Sequence, residues 1–408
     1  MTNKQTVFVT GGAGYIGSHC VLSLLEAGYD VVAIDNFCNS VGHDGKAVSL
    51  QRVEELTGKE VEFHQVDLLD IDQLREVFKK YKVDHVIHFA AMKAVGESME
   101  QPFKYYRNNL IGAINLLEVM KENDVRNLVF SSSCTVYGSP KYLPITEEHP
   151  TGENITNVYG RTKYIVEQML QDMTLADKSW NFINLRYFNP VGAHPSGVIG
   201  ESPTKKKFTN LMPFIGAVAI GREEKLTVFG NDYPTKDGTC IRDYTHIMDL
   251  ATGHVAAVEK LSKDHVSWRG YNLACGNGFS VLEVVKAFEE VCGRKIPVQF
   301  GPRRAFNVDL PELYAASLRS EELGWKAKTY NLGAGKGTSV LELARIFEES
   351  TGAKIPIEIK GRREGDIVEM FADTTRVSEE LGWKPKFSIA EACADYWRWQ
   401  TKNPNGYD

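Results

Sequence analysis

Tyr159 and Lys163 place a phenol and an ammonium four residues apart, on one face wherever the segment is helical. The run Tyr164-Ile-Val-Glu-Gln-Met-Leu170 that follows favours a helix. A second Tyr-x-x-x-Lys, Tyr137 to Lys141, contains Gly138 and Pro140, so its side chains need not share a face. A tyrosine with an ordinary pKa of about 10 is a poor base at neutral pH, and a nearby ammonium favours its phenolate. Ser131-Ser-Ser133 follows the apolar Leu128-Val-Phe130, which puts hydroxyls at a strand end. Ser133 there can hold a substrate hydroxyl and relay its proton. Tyr159, Ser133 and Lys163 together suit removal of hydride from a carbinol carbon while its oxygen loses a proton. Singly, each has a plainer reading: a helix-surface pair, and a polar turn after a strand.

Such chemistry needs a hydride acceptor, and the amino terminus offers a place for one. Thr6-Val-Phe-Val-Thr10 reads as a buried strand, followed by Gly11-Gly-Ala-Gly14-Tyr15-Ile16-Gly17, an apolar run at Val21–Leu25, and a second strand ending at Asp35. Strand, glycine turn, helix and strand ending in an acid form the first unit of a dinucleotide fold. Gly11 permits the tight turn, Gly14 lets the backbone approach a pyrophosphate, and Gly17 allows close packing of helix on strand. The helix start offers its free N–H groups to the anion. Asp35 suits the ribose hydroxyls and repels a 2′-phosphate, so NAD is expected rather than NADP. The positive charge of oxidised nicotinamide would further favour the Tyr159 phenolate.

These residues need a scaffold that brings strand ends together. Val61–Val66 leads to Asp67, a position suited to the adenine amino group. Val83–Phe89, Leu128–Phe130 and Phe182–Leu185 also read as strands, with helical stretches between them. The expected fold class is α/β: a doubly wound parallel (Rossmann) sheet with a smaller carboxyl-terminal α/β substrate domain. The expected division is 1–190 for NAD, with 228–260 returning to it, and 191–408 for the substrate. The 408 residues can bury a sizeable core, and 53 acids against 47 bases argue mildly against a nucleic-acid partner. No apolar run is long enough for a membrane span. The glycine turn begins too early for a secretory leader. Seven scattered cysteines without C-x-x-C read as reduced thiols, with no metal site, so a cytoplasmic protein is expected.

Several of these segments carry a resemblance. Gly11-x-x-Gly14-x-x-Gly17, Asp35-Asn-Phe-Cys-Asn-Ser40, His88-Phe-Ala-Ala-Met-Lys-Ala-Val-Gly-Glu-Ser98, Ser131–Gly138, Tyr159-x-x-x-Lys163 and Arg186-Tyr-Phe-Asn-Pro190 look like the UDP-glucose (UDP-galactose) 4-epimerases. Asn210–Pro213, Val228–Tyr233 and Ile241–His246 extend the match. The resemblance implies tightly held NAD, Tyr159 as the acid/base, Ser133 assisting it, and Lys163 holding the nicotinamide ribose and tuning Tyr159. It implies cofactor contacts from Tyr15, Ile16, Asn36, Asn39, Ser40, Asp67, Leu68, Phe89, Ala90, Lys93, Asn109, Tyr187 and Phe188. Phe188 and Asn189 would bridge cofactor and nucleotide-sugar, and Asn210, Leu211, Phe229 and Arg242 would line the UDP. The implied reaction oxidises C4 of the hexose, turns the sugar, and returns hydride to the other face. UDP-galactose and UDP-glucose are the implied substrates, UDP-N-acetylhexosamines stay open, and a homodimer is expected. A related dehydratase usually carries an acidic pair after the strand-end serine, where this chain has Cys134-Thr135. A non-catalytic NAD-binding protein would more plausibly have lost Tyr159 or Lys163.

The chain departs from the family pattern in two places. Lys205-Lys-Lys207 reads as a solvated turn, with attraction for a diphosphate as the other reading. The second departure is a tandem repeat, 271–328 and 330–386, where the family has one unit. Both copies carry a Ser-x-x-Glu helix start, Ser280/Glu283 and Ser339/Glu342. The second keeps Arg363 and Asp366 at the spacing of the family's UDP-binding pair, whereas Arg304 and Asp309 lie further apart. Copy two is therefore expected to complete the UDP site and copy one to form an extra lobe. In the family, a residue matching Met370 (Leu313 in copy one) walls the sugar 2-position.

Overall fold

The structure, a computed structural model, describes residues 4–202, 210–231, 233–301, 329–330 and 369–407. β1 (Thr6–Thr10), α1 (Tyr15–Glu26) and β2 (Asp30–Asp35) make the first unit. The hairpin of β3 (Gly42–His43) and β4 (Lys46–Ala47), then α2 (Val48–Thr57), β5 (Glu62–Gln65), α3 (Ile71–Phe78) and β6 (His85–His88) follow. Next come α4 (Val95–Glu100), α5 (Pro102–Tyr106), a π-helical turn at Arg107–Ile111, α6 (Gly112–Glu122) and β7 (Asn127–Ser133). A 3-10 turn at Cys134–Tyr137 leads toward α7 (Val158–Ala176) and β8 (Asn181–Tyr187).

The later elements are β9 (Asn189–Val191), α8 (Leu211–Ala219), β10 (Leu226–Phe229), β11 (Ile241–His246), α9 (Ile247–Lys263), β12 (Trp268–Leu273) and β13 (Gly278–Ser280). They continue with α10 (Val281–Cys292), β14 (Val298–Gly301), β15 (Thr329–Tyr330), β16 (Glu369–Met370), α11 (Thr375–Leu381) and α12 (Ile389–Lys402).

The large sheet has eight strands in the order β15-β12-β8-β7-β6-β1-β2-β5, and their pairings are parallel. Both faces are covered, which is why strands such as Val7-Phe8-Val9 are continuously apolar and 0% exposed. One face packs α1, α2 and α9, the other α3, α6 and α7. Burying each such side chain stabilises the fold by roughly 1.5–3 kcal/mol. Strand order reverses between β1 and β6, so the crevice at their carboxyl ends is the switch point where ligands bind in such sheets.

A second core joins α8, α10 and α12 with β10 and β14. The Ser280–Glu283 capping box opens α10 as expected, and Gly293 in the left-handed region (φ +64°) ends it. Beside this core, β11 is the centre of a small mixed sheet with β9, β13 and β16.

Two expectations need correction. The return to the large sheet runs through α9 and β12, whereas β10 pairs with β14 in the smaller part. Residues 228–229 therefore lie outside the large sheet, paired with β14.

Nor is copy one an extra lobe: its β12 residues from Tyr271, with α10 and β14, are core. From copy two, β15 pairs with β12, β16 pairs with β11, and Trp383 is buried, its indole N–H donating to the Asp249 carbonyl at 3.1 Å. The chain uses the first half it reaches and the last half that runs into α12. Lys205–Lys207, Arg304, Asp309, Leu313, Ser339, Glu342, Arg363 and Asp366 lie outside the described residues.

Candidate active site

The glycine turn is built as its spacing requires. The N–H groups of Gly11 and Gly12 both donate to the Ile34 carbonyl, at 2.8 and 3.1 Å. Gly11 has φ +70°, and a Cβ there would approach the Ala90 nitrogen to 2.8 Å. A Cβ on Gly17 would come 2.2 Å from the Gly11 carbonyl oxygen, so only glycine lets α1 pack here. Gly14 starts α1 with no side-chain cap and no acid in the first turn. Its N–H groups and positive dipole end are thus left for an anion, which fits the pyrophosphate of NAD.

Asp35, at the end of β2, is held by Phe37 N–H (2.9 Å), the Ser40 hydroxyl (2.8 Å) and Ala13 N–H (3.2 Å). Burial raises its carboxyl pKa while these bonds oppose the rise. Asn36 donates to Asp67 at 2.9 Å, so the acids ending β2 and following β5 share one rim. Asn39 is exposed on that rim, and Leu68 is buried behind it. Phe89 and Ala90 leave β6 with their N–H groups on the Thr10 carbonyl (3.1 Å) and hydroxyl (3.3 Å). Ile16 packs into the core below, and the Tyr15 hydroxyl donates to the Gly192 carbonyl at 2.7 Å.

Across the switch point, Asn109 sits in the π-helical turn and is pinned from three sides. It accepts Met92 N–H (2.9 Å) and donates to the Met92 carbonyl (3.1 Å) and the Thr162 hydroxyl (3.0 Å). Tyr187 bonds His254 through its hydroxyl. The Glu201 carboxylate accepts both the Lys93 ammonium (2.9 Å) and the Asn210 amide (2.6 Å).

Tyr159, Ser133 and Lys163 come together where β7 ends against α7. The Asn157 side chain caps α7 by accepting Gly160 N–H at 2.8 Å, which fixes the turn carrying Tyr159. The phenol lies beside Ser133, whose hydroxyl acts to lower its pKa. Ser133 Oγ already accepts the Thr135 hydroxyl (2.9 Å) and Thr135 N–H (3.3 Å), so its own proton is free to point at the phenolic oxygen. Lys163 donates to the Ser131 carbonyl at 2.6 Å and lies 5.9 Å from the centre of the Tyr159 ring.

Burial pushes the phenol up to about 12, with the Ser133 hydroxyl opposing, and pushes the ammonium down to about 7, with Glu167 opposing. The second Tyr-x-x-x-Lys is separated as expected. Gly138 (φ +62°) ends the turn, Tyr137 is buried, and Lys141 pairs with Glu153.

On the substrate side, Asn189 donates to the Asp243 carbonyl (3.1 Å), Leu211 begins α8, and Phe229 ends β10. Arg242 and Met370 are register partners in β11 and β16. Met370 is 3% exposed and clusters with Cys134 and Phe188 beside Ser133. Sequence pattern alone does not single out Thr135, Glu201 and Asp243. Asp243 accepts Cys275 N–H (2.7 Å) and Gly276 N–H (2.6 Å), joining β11 to the turn after β12. Glu167 had a sequence signal, since it continues the Tyr159, Lys163 stripe by one more turn.

Residues 7–274 match the NAD dependent epimerase/dehydratase family. The UDP-glucose 4-epimerase of Homo sapiens is 47% identical over 99% of this chain and 98% of its own. That of Bacillus subtilis (strain 168) is 45% identical over 99% of both. The chain belongs to the UDP-glucose 4-epimerases. A solved epimerase from Bifidobacterium longum, in complex with NAD+ and UDP, matches with a TM-score of 0.80 and 42% identity, over 98% of this chain and 100% of that one.

Proposed function

We propose that the protein interconverts UDP-galactose and UDP-glucose through a 4-keto sugar. The observation that carries this reading is the Ser133–Tyr159–Lys163 cluster at the end of β7, on the same sheet edge as the glycine turn and Asp35. Bound NAD supplies the hydride acceptor for C4 of the hexose and gives the hydride back.

Tyr159 takes the C4 hydroxyl proton and later returns it, and the Ser133 hydroxyl steadies the charge on the phenolic oxygen. Lys163, anchored on the Ser131 carbonyl, lies 5.9 Å from the centre of the Tyr159 ring, where its protonated form favours the phenolate. Gly11, Gly14 and Gly17 give room for the cofactor, Asp35 and Asp67 hold its adenosine end, and Lys93, Asn109, Tyr187 and Phe188 border its other end. Asn189, Asn210, Leu211, Phe229, Arg242, Arg363 and Asp366 grip the UDP, which leaves the sugar free to turn. Deuterium at C4 of UDP-galactose should stay at C4 of the UDP-glucose formed. Wash-out of that label to solvent would point to a different chemistry.

Met370 is a flexible wall of intermediate size. It supports weak but measurable turnover of UDP-N-acetylgalactosamine. Turnover equal to that of UDP-galactose, or none, would overturn this assignment of the wall.

We further propose a homodimer in the cytoplasm. Support comes from Phe103 (87% exposed), Ile111 (45%) and Ile114 (39%), an apolar line along the continuous α5–α6 helix that α7 flanks. None of the seven cysteines is in a disulfide, and no described helix is long and apolar enough to cross a membrane. Sedimentation of Phe103→Lys as monomer, against dimer for the unmodified chain, tests the face.

A further inference from the structure

The helix that carries Tyr159 and Lys163 is tied to the sheet by a buried acid that the proposed mechanism does not use. Glu167, 1% exposed, is one turn beyond Lys163 on α7. Its Oε1 accepts Arg186 Nε at 2.9 Å and its Oε2 accepts Arg186 Nη2 at 2.6 Å, a two-point pair in which Arg186 is 2% exposed. The Ser132 hydroxyl donates to the same carboxylate. Arg186 goes on to donate to the Tyr137 hydroxyl (2.9 Å), which donates to the Asn272 side chain at 2.6 Å. One connected group of buried polar side chains thus spans α7, β7, β8, the turn after Ser133, and β12. A pair buried this deeply is weak evidence for stability alone, because desolvation offsets much of its attraction. Its placement, between the catalytic helix and the catalytic strand, is the informative part.

Lys163 is enclosed by few charges. On α7 it faces Tyr159 and Glu167, and on β7 the Phe130 ring (4.9 Å) and the Ser131 carbonyl. On β6 it faces His88, which burial and Lys163 hold far below the range where it is charged, and on β8 stand Arg186 and Tyr187. Arg186 is spoken for by Glu167 and Tyr137. Glu167 is the anion acting on the Lys163 ammonium, and it works against the burial that otherwise favours the neutral amine.

We infer that Glu167 is a positioning residue of the epimerase reaction: it locks the Tyr159–Lys163 helix to Ser131–Ser133 and makes the Lys163 ammonium harder to deprotonate. The inference rests on the catalytic reading of Tyr159 and Lys163 given above. Losing the carboxylate removes the anion beside Lys163, so the ammonium loses its proton at lower pH. It also loosens the face that aligns the phenol with Ser133. The UDP grip, on β11, β16 and α8, is built from other elements.

The test is steady-state kinetics of Glu167→Gln on UDP-galactose across pH, beside the unmodified protein. kcat should fall at least 10-fold near pH 8 with KM changed less than twofold. The alkaline limb of the kcat profile should move about one unit toward acid. Unchanged kcat, or an equal fall at every pH with the limb unmoved, would overturn the inference. Glu167→Gln leaves a buried guanidinium without its carboxylate. If that chain does not fold, Glu167→Gln with Arg186→Met removes both charges and serves as the second variant. With both charges gone their fields at Lys163 largely cancel, so the limb should stay in place while kcat still falls at least 10-fold from the loosened helix; an unchanged kcat there also overturns the inference. Absence of turnover in the unmodified protein would be a different result, overturning the epimerase reading itself.

Discussion

Tyr271 and Tyr330 hold the same place in the two repeat copies and are register partners in the adjacent parallel strands β12 and β15. The repeat has thus laid its own first strand beside its original. The described fold takes β12, α10 and β14 from one copy and β16 and α11 from the other. Removing 302–360, one repeat length from within the repeats, keeps all of these and takes out only β15 among the described elements. The deleted chain should fold and retain epimerase activity within about tenfold, since loop length alone changes closure entropy slowly. Insoluble or inactive protein would show that the removed residues hold up the core.

The β16 pairing also bears on the UDP clamp. Glu369 and Met370 lie against Ile241 and Arg242, so the chain entering the substrate wall belongs to copy two. Arg363 and Asp366 shortly precede that strand. A lost two-point contact to a diphosphate costs about 1.5–3 kcal/mol, roughly a tenfold or larger loss of affinity. Calorimetric titration with UDP should show that loss for Arg363→Ala and little change for Arg304→Ala. The reverse pattern would assign the clamp to copy one.

Tyr159→Phe removes the proton acceptor and little volume. Turnover should fall at least ~100-fold while UDP affinity stays within about threefold. Rates near normal would deny Tyr159 the acid/base role.

Acid should act through buried imidazoles such as His88, whose Nδ1 is 2.7 Å from the Thr10 hydroxyl. Burial holds it at about 3, against roughly 6.5 in an unfolded chain. The unfolded state therefore binds a proton that the folded state does not. The stabilising contribution is whole above pH ~6.5 and is lost as pH falls toward 3. The stability difference between the protein and His88→Asn, which cancels other titrating groups, should shrink by about 1.4 kcal/mol per pH unit below pH 6. Urea melts at pH 7.5, 6.0 and 5.0 measure it, and a pH-independent difference would contradict the assignment.

The amino-terminal unit was legible because its signals are local. Thr6–Thr10 is β1 as read, Gly14 starts α1, and Asp35 ends β2. Strand runs at Leu128–Phe130 and Phe182–Leu185 fall inside β7 and β8. Tyr159 and Lys163 share a helix face because nothing breaks it, while Gly138 breaks the competing pair. Short strands such as β9, β13 and β16 were not legible, since their pairing with β11 is set by tertiary packing rather than by pattern. The π-helical turn at Asn109 left no local trace either. The pairing of Glu167 with Arg186 was not legible, because only the sheet brings these two residues together. The repeat misled for a physical reason: two copies with one pattern let the chain splice halves, which no reading of intact copies anticipates.

Incubation of the purified protein with UDP-galactose, with no cofactor added, tests the central claim most directly. The account predicts UDP-glucose, resolved chromatographically and rising to a fixed equilibrium ratio that starting from UDP-glucose also reaches. No interconversion, either without NAD or with NAD supplied, would contradict it.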